Sequence, residues 1–224
     1  MSLNARAWLS LAALAVIMGL VLFVPAWSIR YWHAWAYLAV FMGTSSMITV
    51  YLMRHDPALL GRRMKGGPTA ERRPVQKFIM LWTSAGFISL LVIPALDFHF
   101  KWSSVPVAAV LLGDLLVMTG FYFIFRVYRE NPYSSATIEI VEGQRLISTG
   151  PYAVVRHPMY ASALLYLIGT PLALGSYWGL IGFGVMLPFL LWRLLDEERL
   201  LAKNLPGYAQ YQKQVRYRLI PLVW

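Results

Sequence analysis

Six apolar stretches, near residues 7–25, 32–53, 78–96, 105–125, 158–174 and 176–192, restrict this chain more than any other feature. A helix needs roughly 20 apolar residues to cross the hydrocarbon of a bilayer, where every backbone polar group must find an internal partner. Stretches of this length and number predict an all-α integral membrane protein with about six transmembrane helices. Charge agrees with that reading: 13% of residues are charged and 58% are hydrophobic, against about 25% charged in a soluble domain. The last two stretches are short and separated only by a turn near Gly175, which predicts a tight hairpin.

The cations fix an expected orientation. Arg54, Arg62, Arg63, Lys65, Arg72, Arg73 and Lys77 crowd the second loop, and Arg126, Arg129, Arg145 and Arg156 lie between the fourth and fifth spans. Arg193, Arg199, Lys203, Lys213, Arg216 and Arg218 follow the last span, and Arg6 precedes the first. Arg30 and Lys101 alone occupy the opposite loops, eighteen against two, so the positive-inside rule predicts a multi-pass protein with both termini cytoplasmic. Topology accounts for the net charge of +10 without a nucleic-acid partner, although some cations can also meet anionic lipid head groups. The N-terminal apolar run lacks a small-residue cleavage site and reads as a first span, not a removed signal peptide. The absence of cysteine excludes disulfides, thiolate metal sites and a cysteine nucleophile.

The halves differ in character. Residues 1–128 are four spans joined by short loops, apart from the basic loop 54–77 with Gly66, Gly67 and Pro68, which is expected to be partly helical on the lipid surface and to set topology. Residues 129–224 carry much polar sequence around the two short spans, within the same single domain. Thr137–Val141 (TIEIV) alternates like a short extended stretch, and Gly143 and Gly150 bracket Gln144–Thr149 as loop. Asp196-Glu197-Glu198-Arg199 open a polar helix continuing from the last span. Pro206-Gly207 breaks it, and another basic, tyrosine-bearing helix follows from Tyr208. A C-terminal cofactor-binding region of short helices and loops, facing the cytoplasm, is the expected result.

Within this half, Gly150–Tyr160 (GPYAVVRHPMY) sets Arg156 and His157 directly before a helix-starting Pro158. A helix beginning there leaves its first N–H groups free and its positive dipole end at the water boundary. With the hydroxyls of Tyr152 and Tyr160, these groups form a polar pocket suited to a small ligand bearing a carboxylate or ribose. His157 and Tyr160, three residues apart, share the first turn. Arg193 and Glu197, four apart, share a helix face; the plain reading is a surface ion pair, but the interfacial position of Arg193 argues against it and points evenly to a snorkelling or a functional arginine. Asp114 is the one carboxylate expected at membrane depth, with a protonated or hydrogen-bonded packing role. No HExxH or comparable metal spacing, GxSxG elbow, phosphate loop or dinucleotide fingerprint occurs, so no metal is expected.

From about Asn131 to Pro221 the order and spacing of these residues resemble the isoprenylcysteine carboxyl methyltransferase family, integral membrane enzymes related to phospholipid methyltransferases. Gln144-Arg145-Leu146-Ile147, Gly150-Pro151-Tyr152, Arg156-His157-Pro158-Met159-Tyr160, Trp192-Arg193, Glu197-Glu198, Tyr208, Tyr211, Val215 and Pro221 carry the resemblance. It implies S-adenosyl-L-methionine as cofactor, bound by Gln144, Arg145, Leu146, Ile147, Tyr152, His157, Pro158, Met159, Tyr160 and Glu197. Thr137, at the start of the same region, is counted with them. It also implies that Arg193 is the catalytic, substrate-facing residue and that the acceptor is lipophilic, such as an isoprenylcysteine-like carboxylate. The chain departs from prenylcysteine-specific members at Gln144, where histidine is common, and is about one residue shorter between Glu198 and Tyr208. A phospholipid amine or small-thiol acceptor, a nicotinamide-dependent membrane reductase of the sterol or enone type, and a small transporter are the alternatives.

Overall fold

Each long apolar stretch becomes a helix whose start is set by its first residues. In the computed structural model, which describes residues 1–71, 73–140 and 142–224, α1 (Leu3–Ala26) begins where the Ser2 hydroxyl accepts from the Ala5 N–H at 3.3 Å. Next come α2 (Trp32–His55), α4 (Pro74–Phe100), α5 (Val107–Glu130), α6 (Pro158–Ala173), α7 (Gly179–Asn204) and the short α8 (Tyr208–Gln214). The basic loop is partly helical, as expected. Asp56 caps α3 (Pro57–Arg63), accepting from Leu59 N–H at 2.8 Å, with Pro57 preset for the first turn. Proline also opens α4 and α6. No strand occurs among the described residues, so Thr137–Ile140 is irregular, and Val141 lies outside them.

Five helices, α1, α2, α4, α5 and α7, are long and apolar enough to cross a membrane, and the chain is a multi-pass integral membrane protein. The expected count of about six is met as five long helices and one short. At 16 residues, α6 reaches only about 24 Å at 1.5 Å per residue, less than the hydrocarbon thickness of about 30 Å. The other arm of the expected hairpin is not short. α7 runs unbroken for 26 residues, through Pro188 and on into the polar Asp196–Arg199 turn.

Small residues let α5 and α6 touch backbone to backbone. A Cβ on Gly113 would stand 2.2 Å from the Ala173 nitrogen, and one on Gly120 would stand 2.8 Å from the Ser162 carbonyl oxygen. In lipid, where burying apolar surface gives little advantage, such close packing holds helices together. A core of Met18, Leu22, Tyr31, Tyr37, Leu91 and Val117 ties these helices to α1, α2 and α4. Its polar atoms are satisfied, since the Tyr31 hydroxyl donates to the Leu174 carbonyl at 2.6 Å and Tyr37 pairs with Thr170 at 3.2 Å.

The α1–α2, α4–α5 and α6–α7 turns share one end of the bundle, with Arg30 and Lys101. There Asp97 accepts from the Ser103 N–H at 2.7 Å, the Ser103 hydroxyl at 2.6 Å and the Ser176 hydroxyl. Asp97, 1% exposed in the last turn of α4, is thus a second buried carboxylate beside Asp114. Asp114 is also buried, and its Oδ1 has no hydrogen-bond partner among the described residues. The termini, the α2–α4 loop and residues 131–157 gather at the other end.

Candidate active site

At that other end the polar half folds back on α6 and α7. Gly150 takes φ +56, a conformation that favours glycine, and starts a 3-10 turn (Gly150–Ala153) carrying Tyr152. The Tyr152 hydroxyl accepts from Asn131 Nδ2 at 2.8 Å, and its carbonyl accepts from the Tyr211 hydroxyl at 2.7 Å. Leu146, Tyr152, Leu205, Tyr208 and Tyr211 form a small apolar cluster that seats α8 beside the 3-10 turn. Burial pushes the Tyr211 hydroxyl up to about 12 and raises that of Tyr152 as well, so both remain donors at cellular pH.

The C-terminal tail is pinned beneath α6. The N–H groups of Arg156 and His157 donate to the carbonyls of Tyr217 and Arg218, each at 2.9 Å. Arg156 Nη1 donates to the Val215 and Arg216 carbonyls at 2.9 Å, and its Nε donates to Glu198 Oε1 at 2.7 Å. Arg218 Nε meets the other oxygen of Glu198 at 2.9 Å. Arg156, expected as a pocket cation, does line the cavity described below, and it also ties the tail with its charge matched by Glu198.

Glu197, one residue earlier, faces the opposite way. Its Oε2 accepts from the Tyr160 hydroxyl at 2.6 Å, which joins the first turn of α6 to α7. No Arg193–Glu197 ion pair forms. Arg193 turns instead to Glu71 of the α2–α4 loop, whose Oε1 meets Nη2 at 2.7 Å, to Gln76 of α4, whose Oε1 meets Nη1 at 2.7 Å, and to the Ala136 carbonyl after α5, 3.0 Å from Nη2. Gln76 also donates to Asp196 Oδ2 at 2.5 Å, and Asp196 pairs with Arg73 at 2.6 Å. Arg193 is 7% exposed and Glu71 4%, so this guanidinium neither snorkels nor lies at the surface.

These walls enclose a cavity of about 310 Å³. All twelve residues expected to bind cofactor or substrate line it: Thr137, Gln144, Arg145, Leu146, Ile147, Tyr152, His157, Pro158, Met159, Tyr160, Arg193 and Glu197. Arg145 is exposed at the rim, and the Thr137 hydroxyl donates to Glu139 at 2.9 Å. Deeper in, Met80, Ala163, Tyr166 and Leu190 make the wall apolar. Glu71, Gln76 and Arg63, from the loop expected to set topology in preference to binding substrate, were not singled out as site residues. A lone glutamate among seven loop cations and an amide in the first turn of a span were the available signals.

The lining suits a small polar ligand. His157 Nε2 and the Tyr208 hydroxyl are buried with no hydrogen-bond partner among the described residues, and the 3.6 Å from His157 Nε2 to Glu198 is too long to be one. The first N–H groups of α6 have no acceptor within the helix, and Glu197 keeps Oε1 for a donor. Among the described residues no three His, Asp or Glu side chains converge as metal ligands do. A multi-pass membrane protein with a small-molecule cavity between two helices and a folded-back tail is the class these features define.

Known proteins narrow that class. The chain matches the phospholipid methyltransferase family over residues 108–207, the stretch that builds most of the cavity. It is 25% identical over 132 residues to protein-S-isoprenylcysteine O-methyltransferase B of Arabidopsis thaliana, covering 56% of each chain. It is also 31% identical over 144 residues to a Delta(14)-sterol reductase of Mus musculus, over 57% of this chain. The chain spans 33% of that reductase's length and about half of the plant methyltransferase's. The resemblance read from the sequence thus has its counterpart in the matches to the phospholipid methyltransferase family and the plant methyltransferase.

Proposed function

We propose that this protein transfers a methyl group from S-adenosyl-L-methionine to a lipophilic acceptor at the cytoplasmic membrane face, the acceptor being an isoprenylcysteine-like carboxylate. The observation that carries this reading is the convergence of the twelve sequence-selected residues on one cavity. The cofactor, when bound, supplies an electrophilic methyl on a sulfonium. Glu197, held by Tyr160, offers Oε1 to a ribose hydroxyl, while His157 Nε2 and the Tyr208 hydroxyl offer the unused polar atoms. The α6 N-terminus suits a carboxylate.

Methyl transfer asks a protein chiefly for alignment and a dry nucleophile. Arg193 is fixed from behind by Glu71 and Gln76, so it faces the acceptor without reorganising, and the apolar inner wall excludes water there. Lipid on one side and solvent on the other explain a polar cavity built at a helix end. Incubating the purified protein and host lipid extract with methyl-labelled cofactor tests the reading: a labelled lipid carrying a base-labile ester supports it, and no labelled lipid opposes it.

The match to a sterol reductase favours one second reading, a nicotinamide-dependent membrane reductase using the same cavity. Tight NADPH binding with no S-adenosylhomocysteine binding would select it.

A further inference from the structure

Beside the first cavity lies a second, of about 350 Å³, between α1, α2, α3 and α5. Ser10, Ile48, Leu52, Phe121 and Ile124 are among its mostly apolar lining. Arg63 and Tyr166 line both cavities, so the two meet there. Arg63 is half-buried. Its Nη1 donates to the Ser135 carbonyl at 2.5 Å, and its guanidinium carbon lies 5.2 Å from the centre of the Tyr128 ring.

The other buried cations of the first cavity have their charges matched, Arg156 by Glu198 and Arg193 by Glu71. Among the described residues Arg63 has no carboxylate partner; it lies over the Tyr128 ring and shares the junction of the two cavities with Tyr166. A half-buried guanidinium without a carboxylate, set against an aromatic ring at the mouth of an apolar chamber, is built for an anion that carries a hydrocarbon chain.

We propose that Arg63 is the anchor for an acidic amphiphile, which it holds by the anionic head group while the chain fills the α1–α2–α5 cavity. This rests on the methyltransferase reading in one respect, that the same molecule is the acceptor. It moves recognition of the acceptor's charge from Arg193, already neutralised, to a residue of the N-terminal half. Arg193 then positions the acceptor's reacting end, and Arg63 is the specificity determinant.

Photocrosslinking of the full chain in nanodiscs tests the anchor. The probes are a diazirine-bearing palmitic acid, the matching alcohol, and a phosphatidylcholine with the same diazirine chain. The acid should label α1 and α2 around Ser10 and Ile48. The alcohol, and the acid in Arg63→Gln, should label about ten-fold less, the effect of one charge-assisted hydrogen bond. Arg63→Lys should retain most labelling, and Ile48→Trp should block it while leaving the anchor intact. Equal labelling by acid and alcohol, indifference to Arg63→Gln, or equal labelling by phosphatidylcholine would overturn the proposal, the last by making the cavity a general lipid groove. S-adenosylhomocysteine binding is measured on the same nanodiscs. If the unaltered protein takes the acid in this pattern but not S-adenosylhomocysteine, the anchor stands and the cofactor reading falls.

Discussion

A step of about 100° around one helix gives adjacent carboxylates opposite uses. Glu198 points at Arg156 and Arg218 and pins the tail, whereas Glu197 points at Tyr160 and the cavity. Each substitution should therefore have its own signature. Glu198→Gln should speed amide exchange at Arg156 and His157, whose N–H groups bond the tail, as measured by hydrogen–deuterium exchange. Unchanged exchange there would show that the tail is held by other contacts. Arg193→Ala should lower turnover far more than cofactor affinity, and the reverse pattern would put Arg193 in the cofactor site. Glu71→Gln removes the charge facing a buried guanidinium and should cost on the order of 3 kcal/mol of stability, read by thermal unfolding in detergent. A loss under half that would mean solvent reaches the pair.

Among the elements, α5 and α6 depend on each other for close approach. Gly113→Leu must push α6 away from α5 and should cost about 3 kcal/mol, whereas Gly184→Ala, with nothing within 4 Å of the added Cβ, should be neutral or mildly stabilising. Equal unfolding temperatures for the two variants would contradict the packing described. The elements were legible where a proline, a break or a long apolar run marks them: a helix within the basic loop, α6 from Pro158 and α8 after Gly207 all fall where the sequence points. The length of α7 was less legible, because apolar run and polar extension look separate until one helix is seen to carry both. The partners of Arg193 were illegible for a related reason. Spacing pairs it with Glu197 on its own helix, and the partners it takes, Glu71 and Gln76, are more than 110 residues away. Local periodicity carries no information about such contacts.

For the whole molecule, helix connectivity puts both termini, the basic loop and the cavity at one end of the bundle. A chain without cysteine makes the orientation directly testable by single-cysteine labelling. Glu142→Cys should react with an impermeant maleimide only from the cytoplasmic side, and Lys101→Cys only from the opposite side. The inverse pattern would reverse the topology and remove a cytoplasmic cofactor from reach. The cavity draws on both halves, with Arg63 and Met80 from the first and Tyr152, His157, Glu197 and Tyr208 from the second. Its central role, holding S-adenosyl-L-methionine, is tested most directly by calorimetric titration of S-adenosylhomocysteine into the unaltered protein, Glu197→Ala and His157→Ala. We predict saturable binding that each substitution weakens by about ten-fold, the loss of one hydrogen bond to a charged or buried group. Affinity unchanged in both variants would contradict the account.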